Sequence, residues 1–393
     1  MKRQRIWALL LAIALLLSAC SPAAQVTAPE TERAAEEAIT EAVTQAATEA
    51  AQTEKEETKA DPDTEGTVSF TDSVGRTVEI PTQIKRLAPS GHLAQMILYS
   101  IDPDRLIGWG SLPNEIAQKY IPKEYVDLPE FGAFYGAKAD LNVEALLGAN
   151  PQIVIDLGQV KGDEMAAELD ALQEQIGIPV IFIEAELDTM KEAYATLGVI
   201  LQEEERTALL GNYVEETLEM AKDNLVVLTE EQKLKVFYGE GDTGLQTNPP
   251  QSIHAEVINL VGGINVAEMP QGSGAGMNEI SIEQLLGWDP DVILFGPDSI
   301  FETVSEDPLW QEIRAVQEDK YYEIPIGPYN WMGRPPAVNR VLGIRWLGNL
   351  LYPDVFDYDM KEETKIFYDL FYRYELTDQE VEELLSRSTL KAE

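Results

Sequence analysis

The sequence predicts an α/β protein of two parallel-sheet lobes joined by one long helix, and three observations carry that prediction. Short apolar strands alternate with helical patterns through most of residues 66–393, and such alternation builds βαβ units. From Thr189 to about Leu225 there is neither strand nor proline, and apolar residues recur at helical spacing. Finally, Leu141 to Ile155 and Ile280 to Leu294 form an internal repeat, one copy on each side of that segment. Glu, Leu, Leu, Gly and Pro coincide in the two copies at a constant offset of 139 positions.

The elements follow in chain order. Lys2, Arg3 and Arg5 precede an apolar run from Ile6 to Leu17 and the sequence Leu17-Ser18-Ala19-Cys20. This is the pattern of a secretory signal, too short to span a bilayer, over residues 1–19. Leu-Ser-Ala-Cys is similar to a bacterial lipobox, which implies lipidation of Cys20 and a membrane-anchored protein facing outside the cytoplasm. Residues 20–65 are rich in Ala, Thr and Glu and nearly devoid of large apolar side chains. They cannot offset their ordering entropy, so a disordered acidic tether is expected, with a reach of roughly 35–40 Å. Val68 to Pro81 reads as a hairpin around Ser73-Val74-Gly75. Strands are expected at Leu106–Trp109, Ile153–Leu157, Val180–Ile183, Lys235–Tyr238, Val292–Phe295 and Tyr321–Ile324, and helices near 92–101, 142–148, 162–176, 252–261 and 281–287. The body then divides into lobes 66–188 and 227–393, bridged by a helix over 189–226 about 50 Å long, with room for an interruption near Glu203–Arg206. The aromatic stretch Phe367 to Tyr374 reads as the packing face of a C-terminal helix.

Composition narrows the chemistry. The chain has 69 Asp and Glu against 29 Lys and Arg, a net charge of −40. No basic face is available for phosphates or anionic lipid, which excludes nucleic acid as a partner. A single cysteine rules out an internal disulfide. Two histidines far apart, with no cysteine besides Cys20, do not make a zinc or manganese site. Gly272 to Gly276 with Met277 lacks the Lys-Ser/Thr of a phosphate loop. There is no nucleophile elbow either. The chain is not expected to be an enzyme or to carry a cofactor, and any metal would arrive chelated or as an oxyanion.

Ligands of doubly wound sheets meet the loops at the carboxyl ends of strands. Pro89-Ser90-Gly91-His92 leaves a strand and opens a helix, so Ser90 and His92 are suited to an anion. They read equally as an N-cap and a surface histidine. Phe131 to Gly136 sets Phe134 and Tyr135 between glycines, as stacking faces or as a core plug. Gly327 to Pro336 crowds Tyr329, Trp331 and Arg334 into a proline-rich loop that could hold an anionic chelate or an oxyanion. Here the alternative is that Trp331 caps the core and Arg334 pairs with an acid.

The body resembles the metal-chelate family of ABC-importer substrate-binding proteins, which bind ferric siderophores, haem and vitamin B12. The resemblance rests on Asp72-Ser-Val-Gly75-Arg76-Thr-Val78, the paired Glu-x-Leu-Leu-Gly segments, the long helix, and Ser252-Ile253-His254 through Val261-Gly262-Gly263. It implies the class III periplasmic-binding-protein fold, with two Rossmann-like lobes and ligand in the cleft between them. It also implies that the loops carrying Phe134, Tyr135 and Asn248 face that cleft. Glu144 and Glu283 fall at the positions where the family docks into arginine pockets of the permease dimer. They could instead merely favour the dipole of a helix first turn. A monomer delivering a ferric siderophore is the expectation. Corrinoid, haem, molybdate or tungstate are alternative ligands, and a ligand sensor or scaffold without transport is the alternative role.

Overall fold

The computed structural model describes residues 66–134, 139–270 and 277–390. The chain divides into two units, Met1–Asp61 and Pro62–Glu393. Cys20, the signal and the tether lie outside the described residues, as do Tyr135 and Gly272 to Gly276.

The second unit opens with a hairpin of β1 (Thr67–Thr71) and antiparallel β2 (Thr77–Pro81), turning through Gly75 at φ 80°. The first lobe follows: β3 (Leu87–Pro89), α1 (His92–Ile101), α2 (Lys123–Val126), α3 (Val143–Gly148), β4 (Ile153–Gly158), α4 (Met165–Ile176) and β5 (Val180–Glu184). Its sheet is parallel, in the order β3-β4-β5. Next come α5 (Met190–Leu201) and α6 (Glu204–Val227). The second lobe contains β6 (Lys235–Gly239), β7 (Gln246–Thr247), α7 (Glu256–Leu260), β8 (Ile264–Asn265), β9 (Asn278–Glu279), α8 (Ile282–Trp288), β10 (Val292–Phe295), α9 (Arg314–Gln317) and β11 (Tyr321–Glu323). Its parallel sheet runs β11-β10-β6-β8, while β7 and β9 form a separate antiparallel pair. The chain ends in α10 (Asn339–Leu351), α11 (Met360–Phe367), one π-helical segment (Tyr368–Tyr372) and α12 (Asp378–Leu385).

Two-sided burial explains why these strands read as continuous apolar runs. Side chains alternate across a strand. In the first sheet, Ile153, Ile155, Ile181 and Ile183 face one core, while Val154, Val180 and Phe182 face another shared with α4. In the second, Val236, Tyr238, Val292 and Leu294 face inward, and Phe237, Ile293 and Phe295 face outward against α8 and Trp310. The inward faces of both sheets belong to one continuous core with α1, α5, α6, α10 and α11. Each lobe thus has a private outer core and a share in a common inner one.

The connecting segment departs from the expected strut. Gln202 adopts the left-handed conformation at φ 58° and breaks the helix. α5 then folds back against α6: Lys191 reaches Glu215, and Gly198 lies against Thr207. A Cβ at Gly198 would come within 2.2 Å of Thr207 Oγ1, so only glycine lets the helices close this tightly. α6 alone runs on toward the second lobe, and its 24 residues span about 36 Å rather than 50 Å. Periodicity marked the helix but could not mark its reversal. One strand expectation and one helix expectation shorten. Leu106 and Trp109 form only isolated bridges, and the helix expected over 252–261 is reduced to α7.

The C-terminal aromatic stretch does pack. Phe371 stacks edge-on with Tyr194 and Tyr213, Tyr368 meets Tyr120, and Arg373 Nη2 donates to the Ile101 carbonyl at 2.5 Å. This tail therefore leans back on the first lobe and on the connecting helices α5 and α6.

Candidate functional site

The carboxyl ends of the two parallel sheets hold two polar clusters. In the first lobe, β3 ends at Ser90, whose hydroxyl donates to Asp156 Oδ1 on neighbouring β4. Asp156 is buried, and its Oδ2 has no hydrogen-bond partner among the described residues. Burial pushes its carboxyl up to about 6, against the pull of the Ser90 hydroxyl and the charge of Lys161. α1 starts beside this pair. Its N-cap is Gly91, no side chain caps it, and its first turn carries no acid. His92 is the first residue of α1 and is exposed. Desolvation lowers its imidazole pKa, and Glu130 opposes that shift.

In the second lobe, Glu240 follows β6 directly and is buried. Tyr238 Oη donates to it at 2.8 Å, Arg334 grips it through Nε and through Nη2 at 2.9 Å, and Asn248 Nδ2 donates as well. Asn248 Oδ1 in turn accepts from Arg334 Nη2 at 3.4 Å and from the Met277 amide at 3.3 Å. The Glu240 carboxylate raises the Arg334 pKa, outweighing the effect of its burial. His254 Nδ1 lies 2.7 Å from the Gly333 carbonyl, and desolvation lowers its imidazole pKa.

A cavity of about 540 Å³ is lined by residues of both lobes, Ser252 and Ile253 among them. That volume lies within the range of small-molecule sites. Gln159, Glu186 and Asp188 from the first lobe face Gln251, Glu256 and Arg340 from the second across it. Arg340 is buried and donates to Glu256 at 2.5 Å. Desolvation raises the Glu256 pKa, and the charges of Glu186 and Asp188 push the same way.

Several expected site residues stand elsewhere. Trp331 is 1% exposed, donates to the Gly327 carbonyl at 3.1 Å and meets Trp346 edge-on, so it seals the core and offers no face to a ligand. Phe134 packs into the outer core of the first lobe with Ala88, Phe131 and Leu146. Tyr329 is buried too. Its hydroxyl bonds Gln95 of α1, and burial pushes it up to about 12. In each case the apolar surface gains more from the core than from the open cleft. Arg334 stands at the expected strand end, yet its charge is matched by Glu240 rather than left open to an anion. Ser90, His92 and Asn248 also stand at strand ends. The sequence reading missed Glu240 and Asp156, because an acid following an apolar strand resembles ordinary surface punctuation.

Glu144 and Glu283 are the second residues of α3 and α8, and both are exposed. The Asn142 side chain caps α3 at 3.0 Å from the Ala145 amide, and Ser281 caps α8 at 3.3 Å from that of Gln284. Both repeats leave their helix through a left-handed residue, Asn150 at φ 55° and Asp289 at φ 46°. The first helix ends at Gly148 and the second one residue beyond Gly287, and each then turns at the Asn or Asp that precedes a proline, as the repeat led one to expect. Hydrogen bonds from its own amide and from Ser281 lower the Glu283 pKa. Neither glutamate joins an ion pair among the described residues.

The same architecture recurs among known proteins. The sequence pattern of the periplasmic binding protein family matches residues 109–326, more than half of the chain. An ABC transporter solute-binding protein from Sulfurospirillum deleyianum is 31% identical, with a TM-score of 0.74, covering 81% of this chain and 99% of that one. The molybdate-binding protein MolA of Haemophilus influenzae is 25% identical over 332 residues, 77% of this chain and 90% of its own. The ABC transporter substrate-binding lipoprotein YvrC of Bacillus subtilis is 22% identical over 371 residues, covering 90% and 99%. Among the described residues no helix is long and apolar enough to cross a membrane. With its two parallel-sheet lobes and the cleft at their carboxyl ends, the chain belongs to the periplasmic binding protein family, the substrate-binding components of ABC importers.

Proposed function

We propose that this solute-binding protein captures a small metal oxyanion, of molybdate or tungstate type, and delivers it to an ABC permease. The observation that carries the ligand class is the fate of the aromatic side chains. Phe134, Tyr329 and Trp331, which could have stacked on a siderophore or a haem, are spent in the core. Hydrogen-bonding groups remain at the strand ends: Ser90, His92, Asn248 and Arg334, together with the uncapped start of α1. Helix N-termini and oriented donors suit a compact anion. Kinship with a molybdate-binding protein supports the same class.

The test is titration of the folded protein with molybdate, tungstate, ferric hydroxamate, ferric catecholate, haem and cobalamin, following the melting temperature. A ligand at 100 times its Kd stabilises by about 2.7 kcal/mol. Molybdate or tungstate is expected to give the largest rise. A larger rise with a ferric chelate, haem or cobalamin would overturn the oxyanion assignment and leave the transport role standing.

Glu144 and Glu283 are the proposed contacts to the permease, one on each lobe. Two separated carboxylates on rigid helix starts give orientation, and each suits a charge-assisted pair with arginine. Replacing both by alanine should leave ligand affinity within twofold and abolish uptake in membranes that hold the permease. Unchanged uptake would favour the sensor or scaffold role. Lipidation at Cys20 and the acidic tether remain part of the proposal, as the means of keeping the binder near its permease. The lipoprotein from Bacillus subtilis supports it.

A further inference from the structure

Glu240 stands buried at the carboxyl end of β6. Four donors reach its two oxygens: Tyr238 Oη, Arg334 Nε, Arg334 Nη2 and Asn248 Nδ2. The Glu240 side chain is 5% exposed and that of Arg334 is 25% exposed. The guanidinium therefore stands at the rim with its counter-charge behind it. Bidentate pairing of this kind fixes the plane of the guanidinium as well as its charge.

The remaining titratable groups near the pair do not restore a net charge. His254 bonds the Gly333 carbonyl, and its desolvation, with Arg334 and Arg340 opposing a further proton, favours the neutral imidazole. Arg340 is itself paired with Glu256, and Tyr238 is held protonated by burial and by Glu240. Around Arg334 the local charge is thus close to zero. The side-chain amide of Asn248 remains, aligned by the same network.

We infer that Glu240 is a specificity-determining residue of the cleft: by cancelling and orienting Arg334, it makes the site choose anions by hydrogen-bond geometry instead of by charge. The inference rests on the anion reading of the site. A site with an uncompensated guanidinium would accept sulfate or phosphate nearly as readily as a metal oxyanion, since Coulomb attraction does not depend on the shape of the anion. A neutral site rewards only the ligand whose oxygens meet its donors, because mismatched buried polar groups are left unpaired.

Calorimetric titration of the full chain with molybdate, tungstate, sulfate and phosphate tests this, for the native protein and for Glu240→Gln. The native protein should bind molybdate or tungstate. In Glu240→Gln, sulfate and phosphate affinity should rise at least tenfold, the molybdate-to-sulfate ratio should fall at least tenfold, and binding should become more sensitive to salt. An unchanged ratio would overturn the inference while leaving the anion reading intact. Failure of the native protein to bind any of the four sinks the anion reading and the inference with it. If Glu240→Gln does not fold, the double variant Glu240→Gln with Arg334→Gln decides. Removing both charges should weaken all four anions alike and keep the ratio within threefold, and a collapsed ratio there would overturn the assignment.

Discussion

Trp331→Ala is expected to lower unfolding free energy by about 3–5 kcal/mol, the usual cost of emptying a large aromatic site in a core. The side chain is almost wholly enclosed, donates its indole N–H to the Gly327 carbonyl and meets Trp346 at 6.5 Å between ring centroids. The backbone around it is equally confined. A Cβ on Gly343 of α10 would lie 2.0 Å from the Trp331 carbonyl oxygen, so the loop rests directly on that helix. Arg334 is only three residues further along. Loss of the indole should therefore weaken ligand binding as well, although Trp331 makes no contact at the cleft. Chemical denaturation measures the first effect and calorimetry the second. A stability loss under about 1 kcal/mol would show that the loop is held by other contacts.

Asp72→Ala is expected to cost about 3 kcal/mol or more, because it takes from a buried guanidinium its buried counter-charge. Arg76 Nη1 lies 3.0 Å from Asp72 Oδ2 and donates to the Val180 carbonyl at 3.0 Å. Asp72 Oδ1 also accepts from the Val74 and Arg76 amides at 3.2 and 2.9 Å and so closes the turn of the β1–β2 hairpin. Asp170 pairs with Arg76 Nε at 2.7 Å, but it is largely exposed and offers weaker compensation. The double variant with Arg76→Leu should recover part of the loss, since replacing both partners removes the stranded charge. Denaturation of both single variants and the double variant completes the cycle. Additive losses would mean that the two side chains act independently.

These residues also mark how far the sequence could be read. Asp72 to Val78 was legible as a turn, because Gly and short polar residues between alternating strands permit little else. The repeat around Glu144 and Glu283 was legible because two copies of one arrangement recur in register, and both form the same capped helix, left-handed turn and buried strand. The cleft was legible only as a location. Trp331, Phe134 and Tyr329 sit in loops whose composition suits either a ligand face or a core plug, and local sequence carries nothing that separates the two.

The sequence by itself determined the α/β class, most of the strands and helices and the two equivalent halves, since periodicity, capping residues and turn residues act over a few neighbours. The hairpin of α5 and α6, the inner core shared by both lobes, the burial of the cleft aromatics and the Glu240–Arg334 pair were decided only in the tertiary structure. Each depends on groups far apart in the chain, 94 positions in the case of Glu240 and Arg334. Their energies come from desolvation and close packing, which do not exist until the sheets and helices have met.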